Sequence, residues 1–273
     1  MPKESLTDCM TLMFGHAGYI QIYWRFKMSE INRGVLYIVF GDNFIKEMLI
    51  SAESVKKHNP NMHITAFADR KIKSKFIDEC VQIKVKHLRP KVDYVHLSPY
   101  DETIFLDTDT VVDRDITEMF QILEKYDFAI CHDLARKRKN VSNIIPEYAQ
   151  IPYSFSEVNP GVMVFKKCQP VQDFFKTWRE YFYKYFNGWP YEQPTFRVAL
   201  WKSDLNFYIL PVEYNIRSKG NRDKQRKFNH QFGEEHLAAR IYHMHADNIN
   251  QGKYEVKSLD QALGYCKENF MEY

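Results

Sequence analysis

Phe105-Leu106-Asp107-Thr108-Asp109-Thr110-Val111-Val112 is the stretch on which the reading of this chain turns. Apolar residues carry the chain out of a buried strand, and two carboxylates one residue apart stand where that strand should end. Unpaired carboxylates are costly to bury, so their natural partner is a hard divalent cation such as Mg²⁺ or Mn²⁺. A cation held this way grips and neutralises a diphosphate. Asp and Thr are also ordinary turn residues at strand ends, so the stretch needs its surroundings before it decides anything.

Upstream, the surroundings alternate between strand and helix. A continuous apolar strand over 35–40 turns at Gly41-Asp42-Asn43 into a helix over 44–58, which Asn59-Pro60 stops. A strand over 63–67, a short helix near 74–80, a strand over 81–85 and a helix over 89–97 lead to the strand at 103–106. Downstream come a helix over 116–124 and a strand over 128–131. Apolar on both faces and rich in β-branched residues, these strands predict an α/β fold with a central, mostly parallel sheet flanked by helices. Ligands of such sheets bind at the carboxyl ends of the strands, where Gly41-Asp42 and Asp107/Asp109 both fall.

Beyond Leu134 the basic stretch 135–150 reads as a loop. A strand over 161–165, aromatic-rich helices over 171–186 and 191–201, a strand over 207–210, a late strand over 240–244 and a closing helix over 259–270 follow. Residues 218–231 are polar and basic and read as a loop or lid. No repeat or linker interrupts the sequence. Residues 1–30 read as an N-terminal appendage to a single domain over 31–273.

Hydrophobic residues make up 45% and aromatics 15% of the 273 residues, which excludes a disordered chain. A formal net charge of +3 is too small to make nucleic acid the main partner. Cys9, Cys80, Cys131, Cys168 and Cys266 are odd in number, scattered and without a CxxC, which fits reduced thiols in a cytoplasmic-type compartment. The apolar stretch 10–26 is broken by His16, Gln21 and Arg25, so neither a signal peptide nor a membrane span is expected. An amphipathic surface segment there leaves peripheral membrane contact open.

The order of motifs resembles that of GT-A (Rossmann-like) glycosyltransferases, and most of all the family 8 type that includes glycogenin and bacterial galactosyltransferases. Asp107-Thr108-Asp109 matches the DxD motif of those enzymes, and Asn159-Pro160-Gly161 followed by an apolar strand matches their Asn-x-Gly. Glu192-Gln193 stands where the family usually has Asp-Gln. A late strand ends in His243, with His245 two residues on. The likeness spans roughly residues 35–248.

The resemblance implies a metal-dependent transferase that moves a sugar from a nucleotide-diphosphate sugar, most simply a UDP-sugar, to a hydroxyl of a glycan, protein or small molecule. It implies Mn²⁺ or Mg²⁺ held by Asp107, Asp109 and one of His243 and His245, the choice between the histidines staying open. Asp107 is alternatively placed on the ribose. Phe40, Gly41, Phe44 and Asp69 are expected near the base, Lys91 near the phosphate or sugar, and Thr108 within the DxD. Asn159 and the backbone of Gly161 are expected to face the donor sugar, and Glu192 and Gln193 to hydrogen-bond its hydroxyls. An inverting reaction needs a carboxylate base, for which Glu192 is the candidate; the family 8 likeness implies retention. The family's usual Gly and Lys after the histidine are replaced by Ala246, Asp247 and Asn248.

Trp189, Tyr191, Trp201 and Tyr214 are candidates to stack on acceptor sugars, though aromatics are commonly core. Arg217, Lys219, Arg222, Lys224, Arg226 and Lys227 could close over a diphosphate. Two rivals were weighed. Asp107-Thr108-Asp109-Thr110-Val111 also fits a haloacid dehalogenase-type phosphatase with Asp107 as nucleophile, but several β/α units precede it and no Gly-Asp follows. A nucleotidyltransferase would need a Gly-rich basic phosphate loop after the first strand, which Phe40-Gly41-Asp42-Asn43 is not.

Overall fold

The computed structural model describes residues 32–217, 238–244 and 256–270. Strand β1 (Arg33–Val39) has six of its seven residues buried. Its side chains alternate between two cores: Val35, Tyr37 and Val39 face one, Leu36 and Ile38 the other. That two-sided burial is why the strand reads as continuously apolar and sits mid-sheet.

A seven-stranded sheet is built around it from β2 (His63–Ala68), β3 (Glu79–Gln82), β4 (Glu102–Leu106), β6 (Phe128–His132), β7 (Val158–Lys166) and β8 (Phe207–Leu210). The order is β3-β2-β1-β4-β7-β6-β8. β7 alone runs against its neighbours β4 and β6, and the other pairs are parallel. The antiparallel insertion brings the start of β7 to the same sheet edge as the ends of β1 and β4. Helix α1 (Asp42–His58) covers one face through Met48, Ala52 and Val55. Helices α6 (Gln169–Tyr185) and α7 (Gln193–Lys202) cover the other, where Phe128, Phe165, Phe174, Phe175, Trp178 and Phe196 pack together. Each of these buried side chains contributes roughly 1.5–3 kcal/mol to the core.

Shorter elements complete the chain: α2 (Lys91–Tyr94) with a 3₁₀ turn Val95–Leu97, β5 (Thr110–Val112), α3 (Met119–Ile122), α4 (Lys139–Ser142), α5 (Pro146–Gln150), β9 (Ile241–His243) and α8 (Leu259–Phe270). β9 lies outside the main sheet, in an antiparallel pair with β5. α8 packs against that pair through Leu263, Cys266 and Phe270.

Several expectations are corrected. No helix forms near 74–80. Asp78 accepts the Ile64 N–H and locks the segment in a turn, so β3 begins at Glu79, earlier than expected, in register with Thr65. The helix expected over 89–97 forms over 91–97, as an α turn continued by a 3₁₀ turn, whereas the one expected over 116–124 shrinks to a single turn. In the second, the Asp115 carboxylate takes the Thr117 N–H and hydroxyl and delays the start. The stretch 135–150 holds two short helices, because Val141, Ile145 and Tyr148 recur at helical spacing and bury together with Val198. The strand expected over 161–165 starts earlier and takes in Asn159. Residues 1–30, and the loop or lid expected over 218–231, lie outside the described residues. No helix among the described residues is long and apolar enough to cross a membrane.

Candidate active site

At the end of β4 the sheet register itself assembles the site. Leu106 pairs with Val162, and the next residue, Asp107, donates its N–H to Gly161 O at 2.7 Å. The chain then reverses: Thr110 N–H and Oγ1 both reach Asp107 O, at 3.3 and 2.9 Å. The reversal feeds β5, whose Thr110 pairs with His243 on β9. Met244 N–H donates to Asp109 O at 2.9 Å, and His243 Nε2 lies 3.2 Å from Asp109 Oδ1. Asp107, Asp109 and His243 thus each offer a ligand atom within 4.8 Å of the others.

Gly161 lies beneath them. A Cβ at this position would come within 2.3 Å of His243 Cε1 and 2.9 Å of Asp107 Oδ2, so a larger residue would displace the corner. Gly41, at the start of α1, has φ 74° and ψ 153°, backbone that only glycine adopts easily. Its N–H is held by Asp69 Oδ2 at 3.1 Å.

The hydrogen-bond chain behind His243 fixes its ring. Asn159 Oδ1 accepts from Gly161 N–H (3.1 Å) and from Asn215 Nδ2 (2.9 Å), which turns the Asn215 oxygen toward His243 Nδ1 at 2.9 Å. Nδ1 therefore donates to Asn215, which leaves Nε2 directed at the Asp109 carboxylate. Nε2 and Asp109 Oδ1 lie 3.2 Å apart in a corner where Asp109 is 7% and His243 6% exposed. A histidine braced through its other nitrogen is how metal ligands are oriented.

On the other side of the cleft, Lys91 Nζ donates to Asp107 Oδ1 and Oδ2 at 3.0 and 2.9 Å and lies 3.1 Å from Glu192 Oε1. Arg89 Nε sits 3.0 Å from Glu192 Oε2 and its guanidinium stacks over Tyr191. Burial works to raise the Glu192 pKa, but Lys91 and Arg89 outweigh it and hold it below the usual carboxylate range. Burial likewise works to lower Lys91, and Asp107 and Glu192 reverse it.

A second charged cluster stands at the end of β6. Asp133 pairs with Arg217 and with Arg138 Nη2 (3.3 Å) and accepts the Ala135 N–H. Burial pushes its pKa up and the Arg217 guanidinium pulls it further down, so it stays below the ordinary range. Arg138 Nε also reaches Glu157 Oε2 at 3.2 Å, which Tyr148 O–H shares. Glu157 is fully buried, and burial raises its pKa despite Arg138.

These residues surround a cleft of roughly 790 Å³. Of the positions singled out from sequence, Phe40, Phe44, Lys91, Asp107, Thr108 and Asp109 line it, as do Asn159, Glu192, Gln193 and His243. Phe44 is 39% exposed and packs 5.4 Å from Phe40. Gly41 and Asp69 stand behind the lining, Asp69 being engaged by Gly41 and Arg70. Trp189, Tyr191 and Arg217 reach the cleft. Trp201 packs instead on Phe155, and Tyr214 donates to Glu118, both away from it. His245 and the basic residues Lys219, Arg222, Lys224, Arg226 and Lys227 lie outside the described residues.

Asp133, Arg138, Glu157, Asn215 and Arg89 were missed. Asp133 carried a usable signal, since it follows an apolar strand just as Asp107 does. Asn215 carried none, because its role comes from partners 28 and 56 residues away.

Solved structures share this fold. An active-site mutant of the galactosyltransferase LgtC superposes with a TM-score of 0.57 at 13% identity, over 86% of this chain and 96% of that one. The bifunctional glycosyltransferase WbbM gives 0.56 at 15% identity, over 81% of this chain and 47% of its own. The glycosyltransferase GlyE of Streptococcus pneumoniae TIGR4 gives 0.56 at 15%, over 86% and 60%. A search of curated proteins finds no significant match. The sequence model of the nucleotide-diphospho-sugar transferase family matches residues 52–259. With the GT-A architecture and the Asp-Asp-His corner, that match places the chain in the family, as a glycosyltransferase that uses a nucleotide-sugar donor.

Proposed function

We propose that the cleft transfers a sugar from a UDP-sugar to a hydroxyl of a glycan, protein or small molecule, with a divalent cation at Asp107, Asp109 and His243 and with retention of configuration. The observation that carries the metal reading is the grouping of Asp107, Asp109 and His243 within 4.8 Å, with the histidine ring braced by Asn215 at Nδ1. The donor set, two carboxylates and an imidazole, suits Mn²⁺ or Mg²⁺. When bound, such an ion supplies fixed positive charge against the leaving diphosphate, a contribution of several kcal/mol.

The protein's own groups hold the rest of the donor. Phe40 and Phe44 offer an apolar, aromatic wall for the base at the end of β1. Gln193 Nε2 is buried without a well-formed hydrogen bond, and a sugar hydroxyl would satisfy it. Retention is supported by the state of the carboxylates. Glu192 is clamped between Lys91 and Arg89 with its pKa held down, which makes it a poor base. Asp133 is engaged by two arginines. Without a ready carboxylate base, the acceptor proton goes to the departing phosphate. Glu192 then serves as an anchor for the two cations and an acceptor for donor-sugar hydroxyls.

Thermal unfolding of the protein against a panel of nucleotide-sugars, with Mn²⁺ or with EDTA, tests this. UDP-sugars should raise the melting point only with metal, since a ligand at a hundred times its Kd adds about 2.7 kcal/mol to the folded state. Equal stabilisation in EDTA would remove the cation, and no response to any UDP-sugar would remove the donor.

A further inference from the structure

Lys91 makes an unusual set of contacts for a residue beside a metal corner. Its ammonium has three N–H donors. They are directed at Asp107, through both carboxylate oxygens, at Glu192 Oε1 and at Pro160 O, 3.4 Å away. The residue is 8% exposed, so little water competes for it. Asp107 is therefore already neutralised by a cation belonging to the chain, while Asp109 faces the His243 nitrogen.

The formal charges on this side of the cleft extend the point. Asp107, Asp109 and Glu192 oppose Lys91 and Arg89, one more carboxylate than cations. A divalent ion entering alone would reverse that balance inside a low-dielectric cleft and would meet Lys91 as a like charge. An ion arriving with the diphosphate brings its own compensating anion, so the cleft gains no net positive charge. The diphosphate also offers the Lys91 ammonium a new partner in place of Asp107.

We propose that Lys91 is the free protein's stand-in for the cation, a residue that suppresses binding of bare metal and couples metal entry to the nucleotide diphosphate. This rests on the metal reading above and adds an order of events to it. The coupling is reciprocal: whatever factor UDP adds to metal affinity, the metal adds to UDP affinity. Lys91 sets the size of that factor.

The test is Mn²⁺ binding, read from the paramagnetic resonance of free Mn²⁺, with full-length protein with and without UDP. The wild type should bind Mn²⁺ weakly alone and far more tightly with UDP. In Lys91→Met, binding without UDP should tighten roughly tenfold or more, as removal of an adjacent like charge dictates, and the gain from UDP should shrink. Glu192 keeps Arg89 as a partner in this variant. Lys91→Gln, which removes the charge but keeps a polar end, should behave alike and guards against a folding defect particular to Met. Equal or weaker Mn²⁺ binding by both folded variants without UDP overturns the role of Lys91. Binding that survives Asp109→Asn, or no binding by any protein even with UDP, overturns the metal site itself and this inference with it.

Discussion

Two carboxylate clusters stand at the ends of two strands of one sheet, and they differ in where their positive charge comes from. At the end of β6, Asp133 is surrounded by Arg138 and Arg217 and a backbone N–H, so its charge is compensated by the chain. At the end of β4, Asp109 stands with Asp107 and with His243, whose ring the Asn215–Asn159 chain braces, in one group of metal-ligating side chains. A carboxylate ringed by arginines is structural; two carboxylates grouped with a braced imidazole are suited to a cation. The same residue type carries opposite meanings, and only its neighbours distinguish them.

The largest expected effect tests the β4 side. Asp109→Asn should lower sugar transfer by about a thousandfold or more, the scale of losing a fixed charge that stabilises a leaving group. The folded state should lose little, because Asn keeps the size of Asp109 and can still hydrogen-bond His243 Nε2. Paired measurements of turnover and thermal unfolding check this. A variant that loses activity and melts far earlier would show the corner to be scaffold.

Asp133→Asn should invert the pattern. It leaves Arg217, largely buried, short of its counter-charge while Arg138 keeps Glu157, so unfolding in urea should show a loss of about 3 kcal/mol. A loss under about 1 kcal/mol, the worth of an exposed pair, would mean that the cluster is no more structural than a surface bridge and would erase the contrast.

How much of this was legible follows from the range of the forces involved. Asp107 and Asp109 stood out because a strand end and its carboxylates are adjacent in sequence. The alternation of strands and helices was readable up to β4, since β1, α1 and β2 are local units. The reversal at β7 was not, because Asn159-Pro160-Gly161 reads as a turn yet pairs as strand with β4 and β6. Gly161 was expected to be small for a ligand, and the structure shows that His243 and Asp107 already require it. Asn215 and Arg138 act only through partners that the fold brings together, so nothing in their own neighbourhoods announced them. The basic run around Arg138 looked like solvated loop because charge masked the helical spacing of Val141, Ile145 and Tyr148.

Glu157 is the smallest and sharpest probe of the β6 cluster. Its Oε2 accepts from Tyr148 and Arg138, and its Oε1 is buried with no hydrogen bond among the described residues. Burial, aided by Asp133, raises its pKa above the ordinary 4.5. Below that ordinary value the carboxyl is protonated in folded and unfolded chains alike, and the pair costs nothing. As pH rises past it, the unfolded chain releases its proton first while the folded chain keeps it, so stability falls until the raised folded value is reached. Relative to Glu157→Gln, which cannot titrate, the wild type should therefore lose up to about 1.4 kcal/mol per pH unit across that window and none outside it. Urea unfolding of both proteins from pH 4 upward gives the difference directly. Parallel curves would mean that Glu157 ionises normally in the fold, that Arg138 compensates it fully, and that the β6 cluster is even more self-contained than its geometry indicates.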